Sequence, residues 1–319
     1  MPKVSVCVPI YGVEKYIERC ARSLFEQTLD DMEFIFVDDC TKDNSIAVLD
    51  SVLKEYPNRI GQTQILHHEV NKGLSFARET GVKAAKGDYI AHCDSDDWVD
   101  TNMYQELYDY AVHGDYDFVK SGRYVSDGDK ILEVQKVYTE NGSVDKESVI
   151  RYLLIQKGWN AIWNTLIKRS LYEIAPISYT KNAMLEDYYL VTQLILRSNR
   201  FGVVNKAYYY YYQNTESISR ISDDKSVIKK SKQAEENVQR ILSFIHAEYG
   251  IKYKKEEVAL EFIPKRILIP IMNKTENFYL WKDIRLGQTF RILKSKYIPL
   301  THKLWYMEAV SGLRILLKK

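Results

Sequence analysis

The amino-acid sequence predicts an α/β fold in which a mainly parallel, Rossmann-like sheet is flanked by helices. Continuous apolar runs, typical of strands covered on both faces, alternate with amphipathic helical patterns over the first hundred residues. Such alternation predicts parallel strands joined by right-handed crossovers. Polar clusters directly follow three of the strands, and the carboxyl ends of parallel strands share the sheet edge where ligands bind. We therefore expect one site on that edge.

The predicted elements follow this alternation in order. Strands are expected at 4–10, 32–37, 62–67, 88–93, 116–120, 130–138 and 208–212. Helices are expected from 17 onward, from near 43–45, after the turn at 71–75, from 103 onward, and over 145–156 and 186–198. After Ser222 the sequence predicts lysine-rich helices that are interrupted at three prolines.

Composition places the chain among globular proteins. It has 319 residues, of which 45% are hydrophobic and 28% charged. These values exclude disordered and fibrous classes, and no apolar stretch of about 18 residues is present to span a membrane. The N-terminus lacks a signal-peptide pattern, so we expect a cytoplasmic protein. Its four cysteines lack CxxC spacing, which favours reduced, mostly buried thiols over a zinc site.

Charge is distributed unevenly along the chain. Residues 225–319 contain 20 Lys and Arg against 9 Asp and Glu, a net charge of +11, and the remainder contains 25 against 34, a net charge of −9. An acidic part suits metal binding, and a basic part suits an anionic surface such as the inner membrane leaflet. The apolar stripe of Val310, Leu313, Leu316 and Leu317 supports such docking. Packing of the same helices on the rest of the protein explains it equally well.

An acidic cluster, Asp94-Ser95-Asp96-Asp97, follows the fourth strand. Carboxylates crowded this closely favour a divalent cation, and hard oxygen ligands favour Mg²⁺ or Mn²⁺. The alternative is a helix-capping turn, in which aspartate is common.

A second acidic pair, Asp38-Asp39, follows the second strand and could bind a ribose or a base edge. Tyr11, at the end of the first strand, could stack on a base, and with Pro9 it could equally be a loop former. Arg78 is a candidate for binding a phosphate or for orienting the acidic edge, and it could also be a surface residue.

These motifs resemble the family 2 glycosyltransferases. The matching segments are 4–11 (VSVCVPIY), 34–45 (FIFVDDCTKDNS), 71–78 (NKGLSFAR) and 87–98, which begins GDYI and ends DSDDW. Four motifs in the expected order and spacing make the resemblance specific. It is strong over residues 1–110, moderate over 160–220 and weak elsewhere.

The resemblance implies a glycosyltransferase A fold with a helical C-terminal extension. A catalytic domain is expected over 1–220, divided into a nucleotide-sugar half (1–110) and an acceptor half (111–220). A basic helical region is expected over 221–319.

The resemblance also implies a donor site. Pro9 and Tyr11 are expected to flank the nucleobase, and Asp39 is expected to contact its edge. Asp94 is expected at the ribose and Asp96 at a divalent metal, Mn²⁺ or Mg²⁺, on the diphosphate. Asn71, Arg78 and Ser95 complete the expected nucleotide-binding residues.

On the acceptor side, the resemblance implies a catalytic base within the pair Glu186-Asp187. Asp187 is the expected base and Glu186 the supporting residue, because a sugar hydroxyl needs a positioned base in order to attack. Helix N-terminal acids, favoured by the macrodipole, are the alternative interpretation. Trp163, Asn164 and Arg220 are expected near the acceptor or the diphosphate, although both Trp163 and Asn164 could be core residues. His67 and His68 are expected to be structural, because adjacent strand residues point to opposite faces.

We therefore expect an inverting, metal-dependent glycosyltransferase. It would transfer a hexose or N-acetylhexosamine from a nucleotide-diphosphate sugar, with uridine favoured, to a glycan or lipid-linked glycan hydroxyl in cell-surface polysaccharide biosynthesis. No nucleic-acid partner is expected. Two alternatives from other classes are a nucleotide-sugar-binding module without catalysis and a receiver-like signalling domain, since an acidic pair after a strand also builds a phosphoacceptor pocket.

Overall fold

Alternate residues of the apolar strands face opposite sides of one sheet, and helices pack against both faces. The computed structural model describes residues 1–141, 144–213, 223–272 and 286–311. Within these residues the sheet has nine strands, and a group of helices follows it. The predicted α/β class is confirmed.

The strands have the following bounds: β1 Val4–Ile10, β2 Met32–Asp38, β3 Thr63–His67, β4 Tyr89–His92, β5 Trp98–Val99, β6 Phe118–Ser126, β7 Ile131–Gln135, β8 Thr165–Lys168 and β9 Phe201–Tyr212. The helices are α1 Ile17–Phe25, α2 Ser45–Lys54, α3 Pro57–Ile60, α4 Leu74–Ala84, α5 Met103–His113, α6 Lys146–Leu154, α7 Ser170–Glu173, α8 Glu186–Arg197, α9 Asp224–Tyr249, α10 Glu257–Glu261, α11 Ile263–Met272, α12 Leu286–Lys294 and α13 Leu300–Ser311.

The strand order is β3-β2-β1-β4-β8-β6-β9-β5, with β7 paired to β6. The first four strands are parallel, as their crossover helices require. Beyond β4 the sheet is mixed, because β8 runs antiparallel to both β4 and β6 while β9 runs parallel to β6. The parallel part therefore aligns the carboxyl ends of β1, β2 and β4 at one edge.

Two hydrophobic cores cover the two faces of the sheet. Val4, Val6 and Val8 of β1 pack with α1 and α2 on one face, whereas Cys7 contributes to the core on the other. Helix α1 shows why the pattern works, since its buried residues recur at helical spacing: Ile17, Cys20, Ala21, Leu24 and Phe25. The second face is covered by α4, α6, α8 and α9.

The C-terminal helices attach to this second face and add a core of their own. On α9, the ring of Phe244 stacks on Tyr189 of α8 at 5.6 Å. A small cluster that includes Phe262, Ile292 and Tyr306 joins α11, α12 and α13. No helix in the described ranges is both long and apolar enough to cross a membrane.

Some predicted bounds were wrong. The third expected strand of the 111–220 segment, predicted at 208–212, begins at Phe201, and two short strands, β5 and β8, were missed. Short strands of two and four residues carry too few positions to show a period. The sheet ends at Tyr212 and α9 begins at Asp224, whereas the predicted boundary at residue 220 lies outside the described residues.

Gly87 allows two chain segments to approach closely before β4. A Cβ at this position would lie 2.7 Å from the backbone nitrogen of Ser5 and 2.9 Å from the carbonyl carbon of Val4. We expect Gly87→Ala to lower the free energy of unfolding by about 1–3 kcal/mol, because backbone atoms must shift to relieve the clash.

Urea denaturation measures this effect. Gly61→Ala is the matched control, since nothing lies within 4 Å of its added Cβ and its φ is −69°. Its expected change is within about 0.5 kcal/mol. Equal effects of the two substitutions would contradict the close approach.

Candidate active site

Arg78 of α4 lies at the centre of the polar edge of the sheet. Arg78 is only 1% exposed to solvent, and its guanidinium contacts three carboxylates. One terminal nitrogen, Nη1, donates to both Glu186 and Asp187, and Nη2 donates to Oδ1 of Asp94 at 2.6 Å. Arg78 therefore orients the acidic edge, and burial excludes the surface alternative. It joins α4, the end of β4 and the start of α8.

The two acids at the start of α8 differ in exposure. The side chain of Glu186 is 6% exposed, whereas that of Asp187 is 22% exposed. Burial raises the pKa of the Asp187 carboxyl well above its usual range; the charge of Arg78 opposes this rise and the neighbouring Glu186 adds to it. Asp187 is thus the more accessible member of the pair.

A strained residue precedes this pair. Leu185 has φ 63° and ψ 27°, the left-handed conformation that costs a non-glycine residue roughly 1–2 kcal/mol. This bend ends the incoming chain and starts α8 so that both acids face Arg78. Cys40, which follows Asp39, has φ 59°. Both acidic pairs therefore lie beside backbone strain of the kind that clusters at functional sites.

The four residues of the acidic cluster after β4, residues 94–97, differ in exposure and in their hydrogen-bond partners. Asp94 keeps a side chain that is 26% exposed beside Arg78, and burial raises its pKa while Arg78 opposes the rise. Asp97 is buried and accepts hydrogen bonds from the Tyr209 hydroxyl and the Tyr212 backbone N–H, both at 2.7 Å. Asp96 lies at the partly exposed rim, and its carbonyl accepts from Arg19 at 3.2 Å. Ser95 is buried within the turn.

Asp39 is only 3% exposed, and its carboxylate bonds within the protein. It accepts from the backbone N–H groups of Lys72 and Gly73 at 2.8 and 2.7 Å and contacts Nδ1 of His68 at 2.7 Å. A carboxylate offers about four acceptor positions, so about one is available for a base edge. Asp39 therefore also holds the turn that begins α4. Asn71 lies on that turn and donates to the Asp39 carbonyl at 3.2 Å.

The two adjacent histidines each support one aspartate. His67 contacts Asp38 at 2.9 Å, and the buried His68 bridges Asp39 and the Thr80 hydroxyl. No cluster of three His, Cys, Asp or Glu arranged as metal ligands occurs in the described part of the chain. The two side chains thus act in separate hydrogen-bonded pairs.

Tyr11 and Pro9 occupy different environments at the end of β1. The Tyr11 residue is 52% exposed, and Gly12 beside it has φ 68°, which turns the chain away from the sheet. Pro9 is buried within β1 and lies opposite Val37 of β2. Tyr11 is therefore the member of the pair whose ring is open to a ligand.

The residues expected on the acceptor side, Trp163 and Asn164, lie in a buried network and do not form an open surface. Asn164 is 3% exposed; its amide accepts from the Lys120 ammonium at 2.7 Å and donates to the Ser121 carbonyl at 2.6 Å. Lys120 also donates to the Ala161 carbonyl at 3.0 Å, because a buried cation must be hydrogen-bonded. The core alternative therefore describes Asn164. Burial lowers the pKa of Lys120 well below its usual range, and attraction to Asp187 opposes this fall.

Trp163 is also mostly covered. It is 6% exposed and stacks on Tyr209 and Tyr211 at 4.5 and 5.6 Å, and the Arg123 guanidinium lies 5.0 Å from its ring. Its packing fixes β9 beside the acidic turn.

Arg220 lies outside the described residues. Lys120 was missed by sequence reasoning, since a single lysine in a strand carries no signal beyond a break in the apolar pattern.

The comparisons with known proteins agree with this architecture. The sequence model of Glycosyl transferase family 2 matches residues 5–191, more than half of the chain. The chain therefore belongs to glycosyl transferase family 2, which confirms the resemblance drawn from the four motifs.

Two curated relatives place it among bacterial glycosyltransferases. The glycosyltransferase EpsJ of Bacillus subtilis is 32% identical over 225 residues, which are 69% of this chain and 64% of EpsJ. The poly(ribitol-phosphate) beta-N-acetylglucosaminyltransferase TarP of Staphylococcus aureus is 28% identical over 235 residues, 71% of this chain and 68% of TarP. The matched part thus spans just under two thirds of EpsJ.

Solved structures confirm the glycosyltransferase A fold. TarS of S. aureus, crystallised as residues 1–349 with UDP-GlcNAc, has a TM-score of 0.61 at 18% identity and covers 98% of this chain and 92% of that one. The mannosyltransferase PcManGT of Pyrobaculum calidifontis, solved with GDP-Man and Mn²⁺, has a TM-score of 0.57 at 14% identity, covering 100% and 88%. At these identities the likeness concerns the fold.

Removal of the Arg78 cation leaves three carboxylates without their shared partner. We expect Arg78→Met to lower the free energy of unfolding by about 3–5 kcal/mol near pH 7. This cost falls as the pH is lowered. Asp94 and Asp187 have raised folded-state pKa values, so their protonation at low pH stabilises the folded protein and removes the charges that Arg78 balances. That stabilisation is lost as the pH rises.

Urea denaturation at several pH values measures both effects. Arg22→Met is the matched control, since Arg22 also bonds two carboxylates, Glu18 and Glu55, but its side chain is 34% exposed. An exposed pair is worth about 1 kcal/mol or less. A similar loss in both variants would contradict the central position of Arg78.

Proposed function

We propose that this protein transfers a sugar, with inversion, from a uridine-diphosphate sugar to a hydroxyl of a cell-surface glycan or polymer. The observation that carries the proposal is the contact of one buried arginine with both Asp187 and Asp94. It places a base with a raised pKa on the same cation as the first acid of the donor motif. Membership in family 2 supports the reaction class and argues against the receiver-like alternative.

The donor site is proposed at the ends of β1, β2 and β4. The exposed ring of Tyr11 can stack on a nucleobase, and Pro9 shapes the wall behind it. Asp39 and Asn71 hold the adjacent turn, and Asp39 has about one acceptor position for a base N–H. Asp94 and Ser95 are placed for the ribose and diphosphate. Uridine is favoured because TarS was solved with UDP-GlcNAc.

The acidic turn fits a divalent cation that is shared with the donor. Its ligands are hard carboxylate oxygens, yet no cluster of three protein ligands exists in the described residues, so a fully protein-bound ion is not expected. Mg²⁺ and Mn²⁺ sites of this kind use one or two carboxylates and complete their shell with phosphate oxygens and water. Asp96 would hold the ion, which would neutralise charge that develops on the leaving diphosphate. PcManGT was solved with Mn²⁺.

Asp187 is proposed to take the proton of the attacking hydroxyl. Its side chain is 22% exposed, and Arg78 holds it in position while the buried Glu186 occupies the remaining hydrogen-bonding capacity of the same nitrogen. Lys120 and Asn164 form a buried hydrogen-bonded pair, and Trp163 stacks on Tyr209 and Tyr211 of β9. The acceptor class follows from TarP, which is named for transfer to poly(ribitol-phosphate).

Asp187→Asn separates chemistry from binding. We expect turnover to fall by about 10²–10⁴-fold, because an amide cannot accept the proton, while UDP affinity stays within about twofold. UDP release from UDP-GlcNAc, UDP-glucose and UDP-galactose, with teichoic acid or exopolysaccharide as acceptor, measures turnover. Calorimetry with UDP and Mn²⁺ measures binding.

Two further variants complete this experiment. Asp96→Ala should lose the Mn²⁺-dependent part of UDP binding, and Asp50→Asn on the exposed face of α2 should change neither quantity. Full turnover in Asp187→Asn would remove the proposed base. UDP binding without turnover in the unmodified protein would favour the non-catalytic module.

The pH profile should carry the signature of a raised base pKa. A base acts only when deprotonated, so we expect kcat/KM to fall on the acidic side above the pH range where an ordinary aspartate titrates, about 3.9. Rates measured from pH 4 to 9 at fixed Mn²⁺ test this expectation, with UDP affinity measured at each pH. A limb at about pH 4 would contradict the raised pKa.

A further inference from the structure

Helices α12 and α13 carry large apolar side chains on their outer surface. Among the described residues, the exposed ones are Phe290 (63%), Leu300 (70%), Leu304 (54%), Trp305 (49%) and Met307 (40%). Leu300, Leu304 and Met307 follow helical spacing and share one face of α13, whereas Trp305 lies about 100° around the helix from Leu304, with its ring 5.4 Å from that of His302. We call these five residues the outer apolar face. Exposed apolar patches of this kind mark interaction sites.

The orientation of α13 is set by its opposite side. Tyr306 is fully buried, and its ring meets Phe262 edge to face at 5.6 Å. His302, on the same side, lies 6.4 Å from the Phe262 ring. Leu300, Leu304 and Met307 are therefore directed away from that contact, and the half-exposed Trp305 lies between the two sides of the helix.

Exposed lysines lie on the segment that leads into α13 and on the turn before α10. Lys294 and Lys296 are exposed at the end of α12 and just after it, and neither forms an ion pair within the described ranges. Arg291 of α12 reaches the carbonyl of Lys254, which brings the turn before α10 alongside. That turn carries the exposed Lys255 and Ile251, the latter 80% exposed. We call Lys255, Lys294 and Lys296 the basic rim.

The uneven distribution of charge along the chain agrees with this arrangement. Residues 225–319 carry a net charge of +11, and residues 1–224 carry −9. An anionic surface would attract the C-terminal helices and repel the sheet-containing part. Charge alone would thus favour an orientation with the C-terminal helices toward such a surface.

We propose that the outer apolar face and the basic rim dock the protein on an anionic phospholipid surface. Trp, Leu and Phe side chains ringed by lysine are the composition of interfacial helices, which insert apolar groups while lysines contact headgroups. A second copy of this chain fits less well, because a two-fold contact would bring two basic rims together. Docking places the acidic sheet edge, where the donor site is proposed, in the part that the surface repels.

Vesicle co-sedimentation of the full chain tests the docking. We expect binding to phosphatidylglycerol vesicles that weakens with salt, and little binding to phosphatidylcholine vesicles. Leu304→Glu/Trp305→Glu should reduce the partition coefficient at least tenfold. Ile60→Glu/Val112→Glu is the matched control, since it places two carboxylates on equally exposed helical sites, 50% and 53% exposed, in the sheet-containing part.

The charge contribution has its own matched pair. Lys294→Glu/Lys296→Glu should reduce binding to phosphatidylglycerol at least fivefold, whereas Lys42→Glu/Lys54→Glu makes the same charge change on exposed residues of the acidic part and should leave binding unchanged. Equal losses from both pairs would show that net charge alone acts, and the assignment of the basic rim would fail.

Tryptophan fluorescence of the unmodified protein gives a second measurement that does not depend on whether the glutamate variants fold. Brominated phosphatidylglycerol should quench tryptophan fluorescence of the full chain, and Trp305→Phe should lose most of that quenching. Absence of vesicle binding, or unchanged quenching in Trp305→Phe, overturns the proposal. A dimer in light scattering that dissociates in Leu304→Glu/Trp305→Glu, without vesicle binding, assigns the face to a second copy. Vesicle binding needs no sugar transfer, so this inference and the proposed function can fail separately.

Discussion

One buried cation holds the candidate site together. Arg78 contacts Asp94, Glu186 and Asp187, which lie on two different elements and are separated from it by 16 to 109 residues. A guanidinium stays charged when buried and presents several donors in one plane, so it can bind three carboxylates at once. Without it the charges at the end of β4 and at the start of α8 would repel each other. The junction between the two halves of the sheet therefore depends on this residue.

The other features of the site follow from that contact. Burial raises the pKa values of Asp94 and Asp187, the neighbouring carboxylates add to the rise, and Arg78 opposes it. The left-handed Leu185 turns both acids of α8 toward the guanidinium. The buried Lys120 is a further group that opposes the rise in the Asp187 pKa. The same arrangement that stabilises the junction thus leaves Asp187, the proposed base, partly accessible.

The fold of the first half could be predicted because buried parallel strands form apolar runs and their ends carry the polar motifs. The partners of Arg78 could not, since they are brought to it by tertiary packing alone. Asn164 shows the limit of a motif: its residue type suits acceptor binding, yet the buried Lys120 takes its carbonyl oxygen. Asp39 was expected to contact a base, and its three internal bonds became visible only with the turn at 71–73 in place.

A double-mutant cycle between Arg78→Met and Asp187→Asn tests the central contact most directly. The two residues share a charged hydrogen bond, so removing the carboxylate should relieve part of the cost of removing the arginine. We predict that the double variant is more stable than the sum of the single losses in the free energy of unfolding, by about 1–3 kcal/mol at pH 7. Additivity within about 0.5 kcal/mol would show that Arg78 does not hold Asp187 in place and would contradict the account.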